Sequence, residues 1–437
     1  MKVGVVGLGH VGLVSAACLA HVGHEVVGVD SQKERVERLS VGDLPFFEPG
    51  LDELVTEGRQ AGRLLFDTDP RAAVAEPEVV LICVGTPAKP TGEADLSQVE
   101  MLATQLSSHL SSYRVLAEKS TVPVRTGQRI LKTIGRVVTT DFDVVSNPEF
   151  LSEGTAIRDT LEPSRIVIGS SSERATHLML ELYEPIIRRS QCRVICTDIA
   201  TAELIKHASN AYLANKISFI NLVADFCEAT GANIDDVAQG IGLDPRIGPD
   251  FLRAGIGYGG SCFPKDVAAF AALGEELGDD IALLRAIESI NRERIPKLLD
   301  KLRGELWNLA SKRIAVLGLA FKPGTDDLRD APSIGLVDEL VREGAEVVAY
   351  DPAAMRKGKD ALPASVRFAD SAIGAMVGAD AAVFVTEWDE FRGIELGEMK
   401  KALKIPVVVD GRNIFEPHEM RDAGFTYLSV GRPPVHP

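Results

Sequence analysis

One stretch near the N-terminus limits the fold more than any other. Residues 2–6 read as a short buried strand. Gly7-Leu8-Gly9-His10-Val11-Gly12 follows at once, residues 13–22 read as a helix, and residues 25–29 read as a second strand running into Asp30. A glycine run of this spacing is weak by itself. Set between a strand and a helix, with an acid at the end of the next strand, it specifies a dinucleotide-binding βαβ unit. Gly7 permits the tight turn, Gly9 lets backbone approach a pyrophosphate, and Gly12 lets the helix pack on the sheet. His10 and Val11 lie in the same loop, where the helix N-terminus faces the phosphates. Asp30 is expected to accept from both ribose hydroxyls and to repel a 2′-phosphate, which predicts NAD over NADP. Arg35 is either a contact to the adenosine end or an exposed helix arginine.

Residues 3–20 carry no Asp, Glu, Lys or Arg, a length that could span a membrane. Gly4, Gly7, Gly9, Gly12 and His10 interrupt that run, and a buried strand-turn-helix explains it better. No signal-peptide cleavage pattern follows, so a cytoplasmic location is expected. The net charge of -16 argues against nucleic-acid and membrane-surface partners. The chain has 437 residues, enough for two or three domains, and six cysteines in no paired framework, which suggests a reducing compartment. Cys192 and Cys196 have metal-pair spacing but no second pair, so they read as strand residues and no metal site is expected. Apart from Cys262, the cysteines read as small buried hydrophobes.

The alternation of strands and helices continues. Residues 79–84, 114–117 and 143–146 read as strands, each ending in a polar cluster: Gly85-Thr86-Pro87, Lys119-Ser120-Thr121-Val122-Pro123 and Asn147-Pro148-Glu149-Phe150. Ligands bind beyond the carboxyl ends of parallel strands. Thr86, Thr121 and Glu149 are therefore expected to line one crevice, with Glu153 nearby. Turn capping is the other reading of the two threonines.

Residues 200–230 read as one long helix stopped by Gly231. Lys206 and Asn210 fall one turn apart on it, either as a functional pair or as a solvated polar stripe. Then comes Gly255-Ile256-Gly257-Tyr258-Gly259-Gly260-Ser261-Cys262-Phe263-Pro264-Lys265-Asp266. Four glycines in six residues make a loop able to approach a ligand closely. Phe263-Pro264 reads as a turn into a helix. Cys262 would then sit just before a helix N-terminus with Lys265 nearby, which favours thiolate and marks a nucleophile. Residues 281–302 read as a further strong helix.

The C-terminal part repeats the opening pattern. Residues 313–317 read as a strand, Gly318-Leu319-Ala320-Phe321-Lys322 as a turn, residues 334–343 as a helix, and residues 346–350 as a strand ending in Asp351. The glycine fingerprint is gone, so a nucleotide other than a second dinucleotide is expected there. Strands at 381–385 and 406–410 follow, the last leading to Gly411-Arg412-Asn413, where Arg412 is either a ligand contact or a surface ion pair. The fold class expected is α/β: two Rossmann-like doubly wound domains joined by a central helical region with a long spine helix. The expected boundaries are 1–198, 199–302 and 303–437.

Together, the Gly7–Gly12 run, Asn147-Pro148-Glu149-Phe150-Leu151-Ser152-Glu153-Gly154, Lys206 with Asn210, the Cys262 loop and Phe321-Lys322-Pro323-Gly324-Thr325-Asp326-Asp327-Leu328-Arg329 make the chain resemble the UDP-glucose/GDP-mannose dehydrogenase family over almost its whole length. Asp244-Pro245-Arg246-Ile247-Gly248-Pro249 and the cysteine loop look most like the members acting on UDP-glucose. The resemblance implies an N-terminal NAD domain, a central dimerisation domain and a C-terminal nucleotide-sugar domain. It implies two successive oxidations of a sugar 6-hydroxyl, through a thiohemiacetal and a thioester on Cys262. Water held by Asp266, near Lys206 and Thr121, would be the base. Lys206 and Asn210 would stabilise the oxyanion, and Glu149 would assist hydrolysis. Glu153, Lys265, Arg329, Thr86 and Thr121 are expected at the cofactor. Glu149, Phe150, Leu151, Glu153, Lys206, Asn210, Phe251, Leu252, Gly257, Lys322 and Arg412 are expected at the nucleotide sugar, with Arg246 supplied across a homodimer. The same chemistry on GDP-mannose or a UDP-amino sugar, a 3-hydroxyacid dehydrogenase, and a non-catalytic NAD sensor are the other readings.

Overall fold

The computed structural model describes residues 1–89 and 91–437. Two compact units are present: Met1–Ser209 with Ala268–Asp279, and Asn210–Val267 with Asp280–Pro437. Each is built on one sheet.

The sheet of the first unit has eight strands: β1 (Lys2–Val6), β2 (Glu25–Val29), β3 (Leu64–Asp67), β4 (Val79–Ile82), β5 (Arg114–Glu118), β6 (Phe142–Ser146), β7 (Arg165–Gly169) and β8 (Arg193–Thr197). Their order is β3-β2-β1-β4-β5-β6-β7-β8. Strand order reverses between β1 and β4, which creates the crevice where doubly wound sheets bind ligands. Alternate residues feed two cores: Val79, Leu81, Val115 and Ala117 join one, and Val80, Ile82 and Leu116 join the other. A sheet covered on both faces selects the continuous apolar runs seen in the sequence.

One strand departs from the α/β expectation. β7 meets β6 antiparallel, through Ser146 and Gly169. The connection contains only the six-residue helix Ala156–Leu161, which rises about 9 Å. A five-residue strand is about 16 Å long, so this helix cannot carry the chain back to start a parallel strand. β8 then forms the sheet edge, with Cys192 half-buried and Cys196 exposed. The expectation of buried cysteines holds for Cys18, Cys83 and Cys227 and fails for these two, because an edge strand has a neighbour on one side only.

The second unit contains a six-stranded parallel sheet: β9 (Arg313–Leu317), β10 (Glu346–Tyr350), β11 (Arg367–Phe368), β12 (Ala381–Phe384), β13 (Val407–Asp410) and β14 (Thr426–Ser429). Its order, β11-β10-β9-β12-β13-β14, repeats the pattern of the first six strands. The long helix spans Ile199–Thr230, 32 residues, or about 48 Å. The single helix expected over residues 281–302 is two, Ala282–Arg292 and Arg294–Leu306. Pro296 is the reason: it has no N–H to give the Arg292 carbonyl four residues back, and its ring crowds that carbonyl. Among the described residues no helix is long and apolar enough to cross a membrane.

Candidate active site

The sequence-predicted residues fall in both units. In the first, the helix after β1 starts at His10, three residues earlier than the sequence suggested. Gly7 has φ +94°, and a Cβ on it would lie 2.6 Å from the Cys83 carbonyl oxygen. A Cβ on Gly12 would sit 1.8 Å from the Gly7 carbonyl oxygen, so helix and turn touch. At Gly9 a Cβ would meet nothing within 4 Å. The loop therefore presents bare backbone to open space beside the unpaired N–H groups of a first helical turn, which fits a pyrophosphate.

Asp30 is buried and already holds this turn. Its Oδ2 accepts from the Leu8 N–H at 2.8 Å and from Arg35 Nη1 at 2.8 Å, and its Oδ1 accepts from the Gln32 N–H at 2.9 Å. A carboxylate has about four acceptor sites, so capacity for a ribose hydroxyl remains. Arg35 pairs with Asp30 instead of standing in solvent.

Hydrogen bonds join the strand-end clusters, including Lys119 Nζ to Asn147 Oδ1 at 3.4 Å. Thr86 Oγ1 donates to the Thr121 carbonyl at 2.8 Å, and Ser120 Oγ donates to the Val84 carbonyl at 2.8 Å. Glu149 lies 2.9 Å from Lys206 Nζ through Oε1 and accepts from the Leu151 N–H at 2.7 Å through Oε2. The Phe150 ring has the Arg165 guanidinium 3.7 Å and the Lys206 ammonium 5.4 Å from its centroid. Glu153 is buried. Lys206 and Asn210 are 4% and 5% exposed, which excludes a solvated polar stripe.

In the second unit, Cys262 immediately precedes the helix Phe263–Leu277, and its carbonyl accepts from the Asp266 N–H at 2.8 Å. It is thus the half-in residue at the helix start, where the dipole favours a thiolate. The residue is exposed, with Sγ 3.6 Å from Ser261 Oγ. Asp266 is fully buried: Asn210 Nδ2 donates to its Oδ2 at 2.5 Å and Lys265 Nζ to its Oδ1 at 2.7 Å.

The glycines of the cysteine loop make their close approaches to the protein itself. A Cβ on Gly257 (φ +94°) would lie 2.4 Å from Asn291 Oδ1, and one on Gly259 would lie 2.2 Å from the Asp330 carbonyl oxygen. At these two positions the missing side chain makes room for neighbouring protein atoms, which grip the loop. Asn291 accepts from the Tyr258 N–H at 2.8 Å and donates to the Tyr258 carbonyl at 3.0 Å. Asn221 Oδ1 accepts from the Gly255 N–H at 2.8 Å. Arg412 is a clamp on backbone, donating to the carbonyls of Val385, Gly257 and Phe321 at 2.8, 3.0 and 3.3 Å.

Near this loop, Phe251 (φ +64°) is 40% exposed, with its ring 6.1 Å from that of Phe263, and Leu252 is buried. Lys322 Nζ lies 5.5 Å from the Phe321 ring centroid. The Arg329 guanidinium is held by Asp327, with Nη2 at 2.6 Å. Arg246 is exposed and folded onto Asp244 at 2.6 Å.

Sequence reasoning missed Asn221 and Asn291, whose only signal is an amide on an amphipathic helix. It also missed buried Glu48, which sits in a turn with no chemical signature.

A dinucleotide turn at the switch point of one sheet, a second doubly wound sheet, and a cysteine at a helix N-terminus are the equipment of a dinucleotide-dependent dehydrogenase. Comparison with known proteins narrows the class. Three models of the UDP-glucose/GDP-mannose dehydrogenase family match: the NAD binding domain over residues 1–187, the central domain over 200–293 and the UDP binding domain over 315–417. The chain is 43% identical to UDP-glucose 6-dehydrogenase TuaD of Bacillus subtilis (strain 168), over 99% of this chain and 94% of that protein. It is 44% identical to UDP-glucose 6-dehydrogenase of Rhizobium meliloti (strain 1021), over 99% and 100%. A UDP-glucose dehydrogenase structure from the archaeon Pyrobaculum islandicum superposes with a TM-score of 0.92 at 36% identity, covering 99% of this chain and 98% of that one. The chain belongs to the UDP-glucose/GDP-mannose dehydrogenase family, and its cofactor is NAD.

Proposed function

We propose that this chain oxidises UDP-glucose to UDP-glucuronate in two steps. The observation that carries the reading is an exposed cysteine at a helix start, four residues ahead of a buried aspartate held by Asn210 and Lys265. Bound NAD supplies a hydride acceptor for each oxidation.

The first oxidation removes a hydride from C6 and the proton of the 6-hydroxyl. Asp266 is assigned to the water that takes that proton, with Thr121 and Lys206 assisting. The resulting aldehyde has no carbinol hydride to lose until a nucleophile adds. Cys262 Sγ adds to the carbonyl carbon, forming a C–S bond and an oxyanion that Lys206 and Asn210 stabilise. Loss of the second hydride from this thiohemiacetal gives a thioester. Water, activated by Glu149, attacks the acyl carbon, the C–S bond breaks, and the carboxylate leaves with the thiol restored.

Gly7, Gly9, His10, Val11, Gly12, Asp30, Arg35, Thr86, Thr121, Glu153, Lys265 and Arg329 are assigned to the cofactor. Phe150, Leu151, Phe251, Leu252, Gly257, Lys322 and Arg412 join the catalytic groups at the nucleotide sugar. The protein acts in the cytoplasm as a homodimer in which Arg246 serves the partner's site. Tyr212, Phe219 and Phe226, seven residues apart on the long helix and 63, 49 and 60% exposed, support the dimer.

A screen of nucleotide sugars for NADH production tests the reading. UDP-glucose is expected to be the best substrate, with two NADH formed per molecule consumed. A preference for GDP-mannose or a UDP-amino sugar would replace the substrate, and one NADH per substrate would overturn the thioester route.

A further inference from the structure

Glu48 is a buried carboxylate that the reaction as described does not use. It is 4% exposed and lies 38 residues from His10 in the chain. Three donors converge on it. His10 Nε2 is 2.8 Å from Oε2, the Gly154 N–H donates to Oε2 at 2.7 Å, and the Ala156 N–H donates to Oε1 at 2.8 Å. His10 belongs to the glycine turn, and Gly154 follows Glu153. One carboxylate therefore joins two loops on which the dinucleotide is expected to rest. The His10 ring is also tilted against Phe46, with centroids 4.7 Å apart, so it is held from two sides. A carboxylate accepts only, which makes Nε2 a donor and turns the other ring nitrogen away from Glu48.

We propose that Glu48 is a positioning residue for NAD, fixing the His10 ring at the mouth of the glycine turn and the Glu153–Ala156 backbone beside it. The reading rests on the assignment of the dinucleotide to this turn. Burial makes the arrangement costly to disturb: removing the carboxylate leaves two backbone N–H groups and an imidazole N–H without their acceptor. Loss of fixed geometry at a binding loop is expected to weaken the ligand through the cost of re-ordering it. Glu48 is expected to influence the nucleotide sugar less than NAD, because its direct partners His10, Gly154 and Ala156 are not assigned there and only the neighbouring Glu153 is.

The test is a thermodynamic cycle read by calorimetric titration of NAD into the full-length protein, with UDP-glucose titrated separately. The variants are Glu48→Gln, Glu48→Ala, His10→Phe and the double variants. Glu48→Ala is expected to weaken NAD by about tenfold, the scale of one charged hydrogen bond. Glu48→Gln, which keeps one acceptor oxygen, is expected to recover part of that loss, and UDP-glucose affinity stays within about twofold. In the His10→Phe background the same Glu48 substitution is expected to cost less, since part of its action has already been removed. Should Glu48→Ala fail to fold, the Glu48→Gln cycle carries the comparison. Equal losses in the two backgrounds, or unchanged NAD affinity in Glu48→Gln, would overturn the proposal. Failure of the unmodified protein to bind NAD would instead overturn the cofactor site itself.

Discussion

At the scale of single residues, Cys262 and Glu118 make opposite demands. Cys262 is exposed at a helix start, where thiolate is favoured. Cys262→Ala is expected to lower turnover by about a thousandfold or more, as loss of a covalent nucleophile does. Iodoacetamide labelling followed by peptide mass spectrometry should find Cys262 modified well before Cys196, the other exposed cysteine. Equal labelling rates would remove the argument for an activated thiol. Glu118 ends β5, three residues before Thr121, and is fully enclosed. Burial pushes its carboxyl up to about 8, opposed by hydrogen bonds from Ser120 and reinforced by the charge of Glu203. Its Oε2 has no hydrogen-bond partner among the described residues. From about 4.5 to about 8 the folded chain keeps a proton that the unfolded chain has released, so stability falls as pH rises through that window and levels above it. Glu118→Gln cannot lose this proton. Its melting temperature relative to the parent is expected to climb between pH 5 and pH 8, by an amount worth on the order of a few kcal/mol. A pH-independent difference would refute the assignment.

At the scale of elements, the cysteine loop is a suspended segment. Asn291 from one helix, Asn221 from another, Arg412 after β13 and the Asp330 carbonyl hold its backbone. Gly259→Ala would place a methyl 2.2 Å from that carbonyl. The loop must shift, at a cost of about 1–3 kcal/mol. Turnover is expected to fall at least about tenfold while NAD affinity changes less, since only Lys265 and Arg329 of the residues assigned to the cofactor lie in this unit. Rapid-mixing kinetics and NAD titration together check the split, and an unchanged turnover would show that the loop tolerates displacement. Most strands were legible because a doubly buried strand needs an unbroken apolar run: β9 and β10 match the sequence reading residue for residue. β3, β7, β11 and β14 went unread: β3 is buried at only one of its four positions, β11 has two residues, Thr426–Ser429 mixes hydroxyl and apolar side chains, and β7 pairs in an orientation that no local pattern encodes.

At the scale of the whole molecule, the surface charge and the exposed helix face bear on assembly. The chain carries -16 overall, and the proposed anionic substrate calls for local positive potential, which the proposal assigns to Lys206, Arg246, Lys322 and Arg412. The proposed homodimer predicts that Phe219→Asp together with Phe226→Asp shifts sedimentation to the monomer. Mixing an Arg246→Ala chain with a Cys262→Ala chain should then restore activity if the arginine acts across subunits, and no recovery would assign it to its own chain.

The sequence by itself determined the βαβ openings of both sheets, the glycine turn and its acid, the placement of Cys262 ahead of a helix, and through these the family. Those features are local: a turn, a helix start and a strand-end acid each need only a few adjacent residues of the right shape. Only the tertiary structure decided that Glu48 reaches His10, that Arg412 clamps Gly257, that the loop glycines face Asn291 and Asp330, and that β7 runs backwards. These depend on partners from 23 residues apart, Ser146 and Gly169, to 155 apart, Gly257 and Arg412, brought together by packing that no single segment records.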